Sequence, residues 1–157
     1  MNLIYIASDH AGFGLKEELK VFLETLGYQV IDKGPFMLNP EDDYPELVLP
    51  VALEVAKDSN AKGIVIGGSG QGEAMVCNRL RGVRAVVFNG QYEPKDGRTV
   101  PNEIRVSREH NDANILSLGA RFINTQEAKI AVNVWLGTKF SGDERHVRRI
   151  KKIDEIL

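Results

Sequence analysis

One stretch near the middle of the chain constrains the fold more than any other. Its apolar run 63–66 (Gly-Ile-Val-Ile) leads directly into the glycine-rich run 67–72, and residues 74–80 then have the pattern of a helix. A short apolar run that ends in glycines before a helix is typical of a buried parallel strand. The sequence therefore predicts a strand-to-helix turn, and the free backbone N–H groups of such a turn can bind an anion.

Strand-like and helix-like segments alternate along the rest of the chain. The predicted strands are residues 3–7, 29–32, 63–66, 84–88 and 115–118, and the predicted helices are residues 15–26, 44–57, 74–80 and 126–136. This alternation is typical of parallel strands covered by helices, here in one domain that spans residues 1–157. In such open sheets a ligand binds beyond the carboxyl ends of the strands.

The composition excludes several classes of protein. A formal net charge of -2 and a pI near 5.9 give no reason to expect nucleic acid or an anionic membrane as a partner. Cys77 is the one cysteine, so neither an internal disulfide nor a cysteine-rich metal site is expected. The start of the chain is too short to be a signal peptide or a membrane span before the first motif, and we expect a cytoplasmic protein.

Glu73 closes the glycine-rich run and decides which anion the turn suits. The dinucleotide fingerprint needs glycine at position 73, and the Walker phosphate loop needs lysine there. A carboxylate would repel the phosphates of a nucleotide, but it can act as a general base while the loop amides stabilise an oxyanion. The alternative is that Glu73 is an ordinary acid in the first turn of a helix, where it stabilises the helix dipole.

An acid and an imidazole, Asp9 and His10, come directly after the first predicted strand. Aspartate accepts hydrogen bonds from sugar hydroxyls, and a histidine near a helix start can donate to phosphate or transfer a proton. The alternative is that Asp9 caps the following helix and His10 is merely exposed.

A polar cluster at residues 107–114 precedes the last predicted strand and contains His110. His110 can act as the acid that opens a cyclic sugar, because it can donate a proton to the ring oxygen. The alternative is a turn that is rich in Asn and Asp because these residues satisfy backbone groups locally.

The C-terminal segment holds the main concentration of basic residues in the chain. Arg145 and Arg149 are four residues apart, so on a helix their guanidinium groups lie on one face and can grip a phosphate dianion. The alternative is a solvated helix with cations near its end.

Together these motifs resemble the ribose-5-phosphate isomerase B and galactose-6-phosphate isomerase family. The resemblance covers nearly the whole chain and rests on Ser8-Asp9-His10-Ala11-Gly12, Asp43-Tyr44-Pro45, Gly68-Ser69-Gly70 with Gly72, Asn78, Gly82-Val83-Arg84-Ala85, Arg108-Glu109-His110-Asn111-Asp112-Ala113-Asn114, Gly119-Ala120-Arg121 and Arg145-His146 with Arg149. It implies a Rossmann-like three-layer α/β sandwich with a mostly parallel five-stranded sheet and a C-terminal helical arm. It also implies a homodimer or tetramer with active sites at the subunit interface.

The resemblance implies roles in an aldose–ketose isomerisation through a cis-enediolate, without a metal or another cofactor. Glu73 is the expected base, Ser69 protonates or steadies the substrate oxygen, and His110 assists ring opening. The expected substrate-binding residues are Asp9 and Tyr44 at sugar hydroxyls, Gly68, Gly70, Gln71 and Gly72 in the anion-holding loop, Asn111 nearby, and His10, Arg121, Arg145 and Arg149 at the phosphate. Arg145 and Arg149 are expected to reach across from the partner subunit.

The identity of the base separates two branches of that family. Many members have a cysteine at the position of Gly67, whereas another branch has glycine there and a glutamate at the position of Glu73. This chain resembles the second branch, so Cys77 is expected to be a core residue and not the catalyst.

One segment departs from the family pattern. Residues 89–107 are longer than usual and polar, and they predict a surface loop or a short hairpin near the mouth of the site. Such an insertion either changes the substrate range or the dimer surface, or it is inert, because closing a longer loop costs little.

The favoured function is the isomerisation of ribose 5-phosphate to ribulose 5-phosphate, which belongs to the pentose phosphate pathway. The alternatives are an isomerase of a hexose 6-phosphate, such as that of galactose or allose, or of a tetrose 4-phosphate. A further alternative is a non-catalytic module that binds a sugar phosphate. The preferred sugar, the choice between dimer and tetramer and the direction of flux stay open at the level of sequence.

Overall fold

The computed structural model describes residues 3–90, 95, 97 and 102–156. Its elements in chain order are β1 Leu3–Ser8, α1 Phe13–Thr25, β2 Gln29–Asp32, α2 Tyr44–Lys57, β3 Lys62–Gly67, α3 Gln71–Cys77, β4 Ala85–Phe88, α4 Glu103–Asn111, β5 Ile115–Gly119, α5 Thr125–Gly137 and α6 Glu144–Asp154. Every predicted strand and helix is present, with its ends shifted by a few residues. None of the helices in these described ranges is long and apolar enough to span a membrane.

The strands form one sheet in the order β2-β1-β3-β5-β4, and each neighbouring pair is parallel. Helices cover both of its faces. Ile64 and Ile66 of β3 join a core cluster with Trp135 of α5, whereas Val65 joins a second cluster with Val51 of α2. Burial on both faces explains why β3 is a continuous apolar run without polar alternation. The predicted three-layer α/β sandwich is confirmed.

Helix α4 corrects two of the sequence-based predictions. The segment 89–107 was expected to be a loop or hairpin, and a turn was the alternative for the cluster 107–114, but Glu103–Asn111 is a helix. Its first N–H groups are capped by Asn102, whose side chain accepts a hydrogen bond from the backbone N–H of Arg105 at 3.0 Å. The predicted loop residues 91–94, 96 and 98–101 lie outside the described residues.

The buried side of α4 explains why its sequence looked like a turn. Ile104, Ser107 and Arg108 face the core, at the spacing of a helix, but two of these three residues are polar. The Ser107 hydroxyl donates to the Ile104 carbonyl at 2.7 Å, and the Arg108 guanidinium donates to Asp112 at 2.6 Å and to the carbonyl of Ala113. A hydrophobic pattern cannot identify a helix whose buried groups are satisfied by hydrogen bonds.

The parallel strands place the functional loops along one edge of the sheet. β1, β3 and β5 are neighbours, so the segments that follow Ser8, Gly67 and Gly119 emerge side by side. The segment 33–43, which leaves β2 next to β1, runs along the same edge to the start of α2. Ligands bind at this edge of an open α/β sheet, as the sequence analysis expected.

Candidate active site

The glycine-rich loop between β3 and α3 is held from the end of β5. The Ser117 hydroxyl donates a hydrogen bond to the Gly70 carbonyl at 2.6 Å, and the Arg121 N–H donates to the Gly68 carbonyl at 3.0 Å. Gly70 has a φ of +78°, a conformation that side chains other than glycine rarely adopt, and it is the N-cap of α3. The first N–H groups of α3, which have no acceptor inside the helix, are thereby fixed in position.

Glu73 lies in the first turn of α3, and its carboxylate packs against Gly67 at the end of β3. A methyl group added to Gly67 would collide with both carboxylate oxygens of Glu73. The Glu73 side chain is only 4% exposed. Burial raises its pKa above that of an ordinary carboxyl, and the negative charge of Asp9 adds to this, whereas a hydrogen bond from its own backbone opposes it. A carboxyl with a raised pKa is suited to take up a proton and return it.

Asp9 is buried beside this loop and satisfies a backbone group of the turn that follows β1. Its Oδ1 accepts a hydrogen bond from the Gly12 N–H at 3.0 Å, so Asp9 supports the turn before α1, although the N-cap of that helix is Gly12 and has no side-chain cap. Its charge also acts on the titration of Glu73. The same carboxylate therefore stabilises the turn and contributes to the electrostatic potential at the expected base.

His10 is bound by a residue that the sequence analysis did not identify. Asp42 Oδ1 lies 2.6 Å from the ring Nδ1 of His10 and accepts a hydrogen bond from its backbone N–H at 3.2 Å. Asp42 is 32 positions away in the chain, so only the acidic run 41–43 before Tyr44 could have indicated it. The pair raises the pKa of His10, because the hydrogen bond to a carboxylate favours the protonated ring.

Tyr44 and Arg121 cover the glycine-rich loop from two sides. A methyl group on Gly72 would lie 2.7 Å from the Tyr44 hydroxyl oxygen, and one on Gly68 would lie 3.3 Å from the Arg121 guanidinium. Tyr44 is the first residue of α2, and 37% of it is exposed at the edge of the crevice. A larger residue at position 72 would therefore displace the Tyr44 ring, and one at position 68 would press on the Arg121 guanidinium.

Ser69 lies within the same loop and has a structural contact of its own. Its hydroxyl accepts a hydrogen bond from the Gln71 N–H at 3.3 Å, and its carbonyl accepts one from the Asn89 side chain at 3.3 Å. The structure therefore brings together most of the expected site, a set that we name the crevice group: Asp9, His10, Tyr44, Gly68, Ser69, Gly70, Gln71, Gly72, Glu73 and Arg121.

The remaining expected residues belong to a second set on α4 and α6, which we name the helix-pair group: His110, Asn111, Arg145 and Arg149. The rings of His110 and His146 stack at 4.3 Å between centroids and join the two helices. His146 is buried, and its Nδ1 lies 3.0 Å from the Ser141 hydroxyl. Burial lowers the pKa of His146, with smaller contributions from His110 and Arg145.

The helix-pair group stands apart from the crevice group within one chain. Arg145 and Arg149 are exposed on α6, as is Asn111 at the end of α4. Among the described residues, no hydrogen bond or ion pair connects these four side chains to the glycine-rich loop. The described residues also contain no group of three or more His, Cys, Asp or Glu side chains that could hold a metal ion.

Cys77 is a core residue, as the sequence analysis predicted. It is fully buried one turn after Glu73 on α3. Burial raises the pKa of its thiol to about 12, and the charge of Glu73 acts in the same direction. A thiol that stays protonated in this way is neither a base nor a nucleophile at neutral pH.

Comparison with known proteins places this arrangement in a family. Residues 4–153 match the family model described as Ribose/Galactose Isomerase. Ribose-5-phosphate isomerase B of Escherichia coli K12 is 37% identical over 156 residues, which cover 99% of this chain and 97% of that protein. The corresponding protein of Mycolicibacterium paratuberculosis is 35% identical, with 97% and 89% covered.

Solved structures agree with the sequence relatives. Ribose-5-phosphate isomerase B from Mycoplasma genitalium with bound ribulose-5-phosphate superposes with a TM-score of 0.88 at 35% identity, covering 98% of this chain and 95% of that one. The Clostridium thermocellum protein gives a TM-score of 0.85 at 42% identity, with 98% and 96% covered. The chain therefore belongs to the ribose/galactose isomerase family.

Proposed function

We propose that this protein is an aldose–ketose isomerase that interconverts ribose 5-phosphate and ribulose 5-phosphate, with Glu73 as the base. One observation carries the proposal: a buried carboxylate with a raised pKa lies against Gly67, beside the glycine-rich loop. Moving a proton between adjacent carbons requires one group that can remove the proton and return it. The names of the relatives, and the ribulose-5-phosphate bound in one related structure, support this substrate.

In the proposed reaction Glu73 removes the proton from C2 of the open-chain aldose, and the electrons of that bond form the enediolate. The loop N–H groups of residues 70–72 stabilise the negative charge on O1 of the enediolate, and Ser69 passes the O2 hydroxyl proton to O1 so that the charge moves to O2. Glu73 then returns its proton to C1, which gives the ketose. Asp9 and Tyr44 bind sugar hydroxyls, and His10 and Arg121 bind the phosphate together with Arg145 and Arg149.

We also propose that each active site combines the crevice group of one subunit with the helix-pair group of its partner. Arg145 and Arg149 are four residues apart on an exposed face of α6, a geometry suited to a phosphate. The contact between His110 and His146 joins α4 to α6, so His110 comes from the same subunit as the two arginines. A homodimer is the simplest assembly in which two chains share each site. The cytoplasmic location stays a prediction from the sequence.

The experiment that tests the reaction is the rate of ribulose 5-phosphate formation by the purified protein, with and without EDTA. We expect turnover in both conditions and about 10²- to 10⁴-fold less with Glu73→Gln, because this is the usual contribution of general base catalysis to the rate. The panel also contains galactose 6-phosphate, allose 6-phosphate and erythrose 4-phosphate. If one of these sugars is isomerised faster, it replaces ribose 5-phosphate as the proposed substrate. If the folded protein isomerises none of the four, the proposal that it is a sugar-phosphate isomerase is wrong.

Subunit sharing is tested by mixing two impaired variants, Glu73→Gln and Arg145→Ala/Arg149→Ala, at a substrate concentration below the wild-type KM, where both have little activity. If each site combines two chains, a mixed dimer regains one intact site, and subunit exchange restores up to about one quarter of wild-type activity on statistical grounds. If each site lies within one chain, no mixture regains activity. Light scattering after size exclusion gives the number of subunits.

A further inference from the structure

The carboxylate of Asp42 holds His10 at two points. Its Oδ1 accepts the His10 backbone N–H at 3.2 Å and lies 2.6 Å from the ring Nδ1. Two acceptors do not approach each other to this distance, so Nδ1 carries a proton and donates it to Asp42. The backbone contact fixes where the ring is attached, and the ring contact fixes its rotation. Nε2 is then the ring nitrogen that is left for a ligand.

The surroundings of Asp42 favour a positive charge on that ring. The Asp42 side chain is 8% exposed, and its second oxygen, Oδ2, is buried without a hydrogen-bond partner among the described residues. In the described part of the chain, the cation that pairs with the Asp42 carboxylate is the ring of His10. A buried carboxylate is costly unless a positive charge lies beside it, so Asp42 stabilises the imidazolium form of His10.

The other charges that face His10 come from two neighbouring segments. Asp9, on the same turn, also favours the protonated ring, whereas Arg121, after β5, opposes it. The hydrogen bond to Asp42 is the largest influence, and the pKa of His10 is raised overall. Asp42 therefore offsets the repulsion that would otherwise arise from placing two cations, His10 and Arg121, around one anion.

We propose that Asp42 is a positioning residue that keeps His10 protonated, so that its Nε2–H is available to the phosphate of the substrate. This inference rests on the proposed function and adds a residue to it. A neutral His10 with its proton on Nδ1 would present a lone pair at Nε2, which repels phosphate oxygens, whereas the imidazolium presents an N–H donor. The same contact anchors the segment 33–43 just before Tyr44, whose ring covers Gly72.

The direct test is NMR titration of the ring signals of the three histidines in the protein as isolated. His10→Gln assigns the His10 signals. In the wild type we expect His10 to titrate at a higher pH than His146, and its neutral form to carry the proton on Nδ1. Asp42→Asn keeps an acceptor for both donors but removes the charge, so the His10 midpoint falls. The control Glu41→Gln, an exposed carboxyl at the adjacent position, leaves it unchanged.

The pH dependence of KM separates an effect of the Asp42 charge on His10 from an effect of Asp42 on the position of the segment 33–43. In Asp42→Asn we expect KM for ribose 5-phosphate to match the wild type at a pH below both His10 midpoints found in the titration, where the ring is protonated in both proteins. At a pH between the two midpoints we expect KM of the variant to be about tenfold higher. The ionisation of the substrate phosphate affects both proteins equally, so it cancels in the ratio of the KM of Asp42→Asn to the KM of the wild type. A role limited to loop structure would raise KM by the same factor at every pH.

Either of two results would overturn the inference: a His10 midpoint that is equal in the wild type and Asp42→Asn, or a KM ratio that does not change with pH. Should the wild type fail to isomerise any sugar phosphate, the titration and the binding of inorganic phosphate to wild type and Asp42→Asn still decide the role of Asp42. The failure of the proposed function is thus distinguishable from the failure of this inference.

Discussion

The crevice group and the helix-pair group differ in how the chain holds them. Glu73 is buried and its loop is tied to β5 by hydrogen bonds, whereas Arg145 and Arg149 are exposed on a helix that lies against α4. The proposed base is thus fixed within one chain, whereas two of the four residues proposed to bind the phosphate, Arg145 and Arg149, are presented outward. The comparison teaches that the rate should respond to changes at Glu73 and the affinity to changes at the two arginines.

The largest effect is expected for Glu73→Gln. Glutamine keeps the volume of the side chain but cannot accept a proton, so kcat falls by about 10²- to 10⁴-fold while the affinity for sugar phosphate changes little. Steady-state kinetics together with calorimetric binding measure both quantities. Normal turnover by Glu73→Gln would show that Glu73 is not the base. The crevice group would then no longer be distinguished from the helix-pair group by its effect on the rate.

A second large effect is expected for Gly67→Ala. The added methyl group occupies the place of the Glu73 carboxylate, and a displacement of about 1 Å can lower the rate by about 10²-fold. Gly14→Ala is the matched control, since a methyl group there meets nothing within 4 Å. An active Gly67→Ala protein with unchanged kcat would contradict the close packing of Glu73 on Gly67.

A smaller effect, confined to binding, is expected for Arg145→Ala. Losing one charge-assisted hydrogen-bonding partner of the phosphate raises KM by about 10- to 100-fold, with a lesser change in kcat. Lys151→Ala is the control, because Lys151 is an exposed cation about 240° further around the same helix. Equal losses in the two variants would mean that α6 acts only through its general positive charge.

The pH dependence of kcat/KM tests the titration of Glu73 in the crevice group. Glu73 must be unprotonated to act as a base, and its pKa is raised by burial, so the acid limb of kcat/KM begins at a higher pH than for an ordinary glutamate. Below that point kcat/KM falls about tenfold per pH unit. Asp9→Asn removes a negative charge near Glu73 and should move the limb to lower pH. An acid limb in the normal range of a carboxyl would contradict this.

The smallest effect on activity is expected for Cys77→Ala. The thiol is protonated and buried, so kcat changes less than about threefold. The lost packing lowers the free energy of unfolding by about 1 kcal/mol. Kinetics and denaturant unfolding measure the two. A loss of kcat as large as that of Glu73→Gln, in folded protein, would reassign the base.

The sequence predicted the parts of the molecule that obey local rules. The apolar runs of β1, β3 and β5 identified the central strands, because strands buried on both faces need no polar alternation. Helix α4 was not predicted because two residues on its buried side, Ser107 and Arg108, are polar and are satisfied by hydrogen bonds. Asp42 was not predicted as a site residue because its partner, His10, is distant in the chain, and no local pattern indicates such a contact.

The collision between a side chain at position 67 and the carboxylate of Glu73 also constrains how this site can have changed in descent. A side chain on residue 67 and the Glu73 carboxylate, as it lies here, would occupy the same volume, so a base at position 67 requires the carboxylate at position 73 to move away or to be absent. The close packing that orients Glu73 therefore also limits which position of the loop can supply the base.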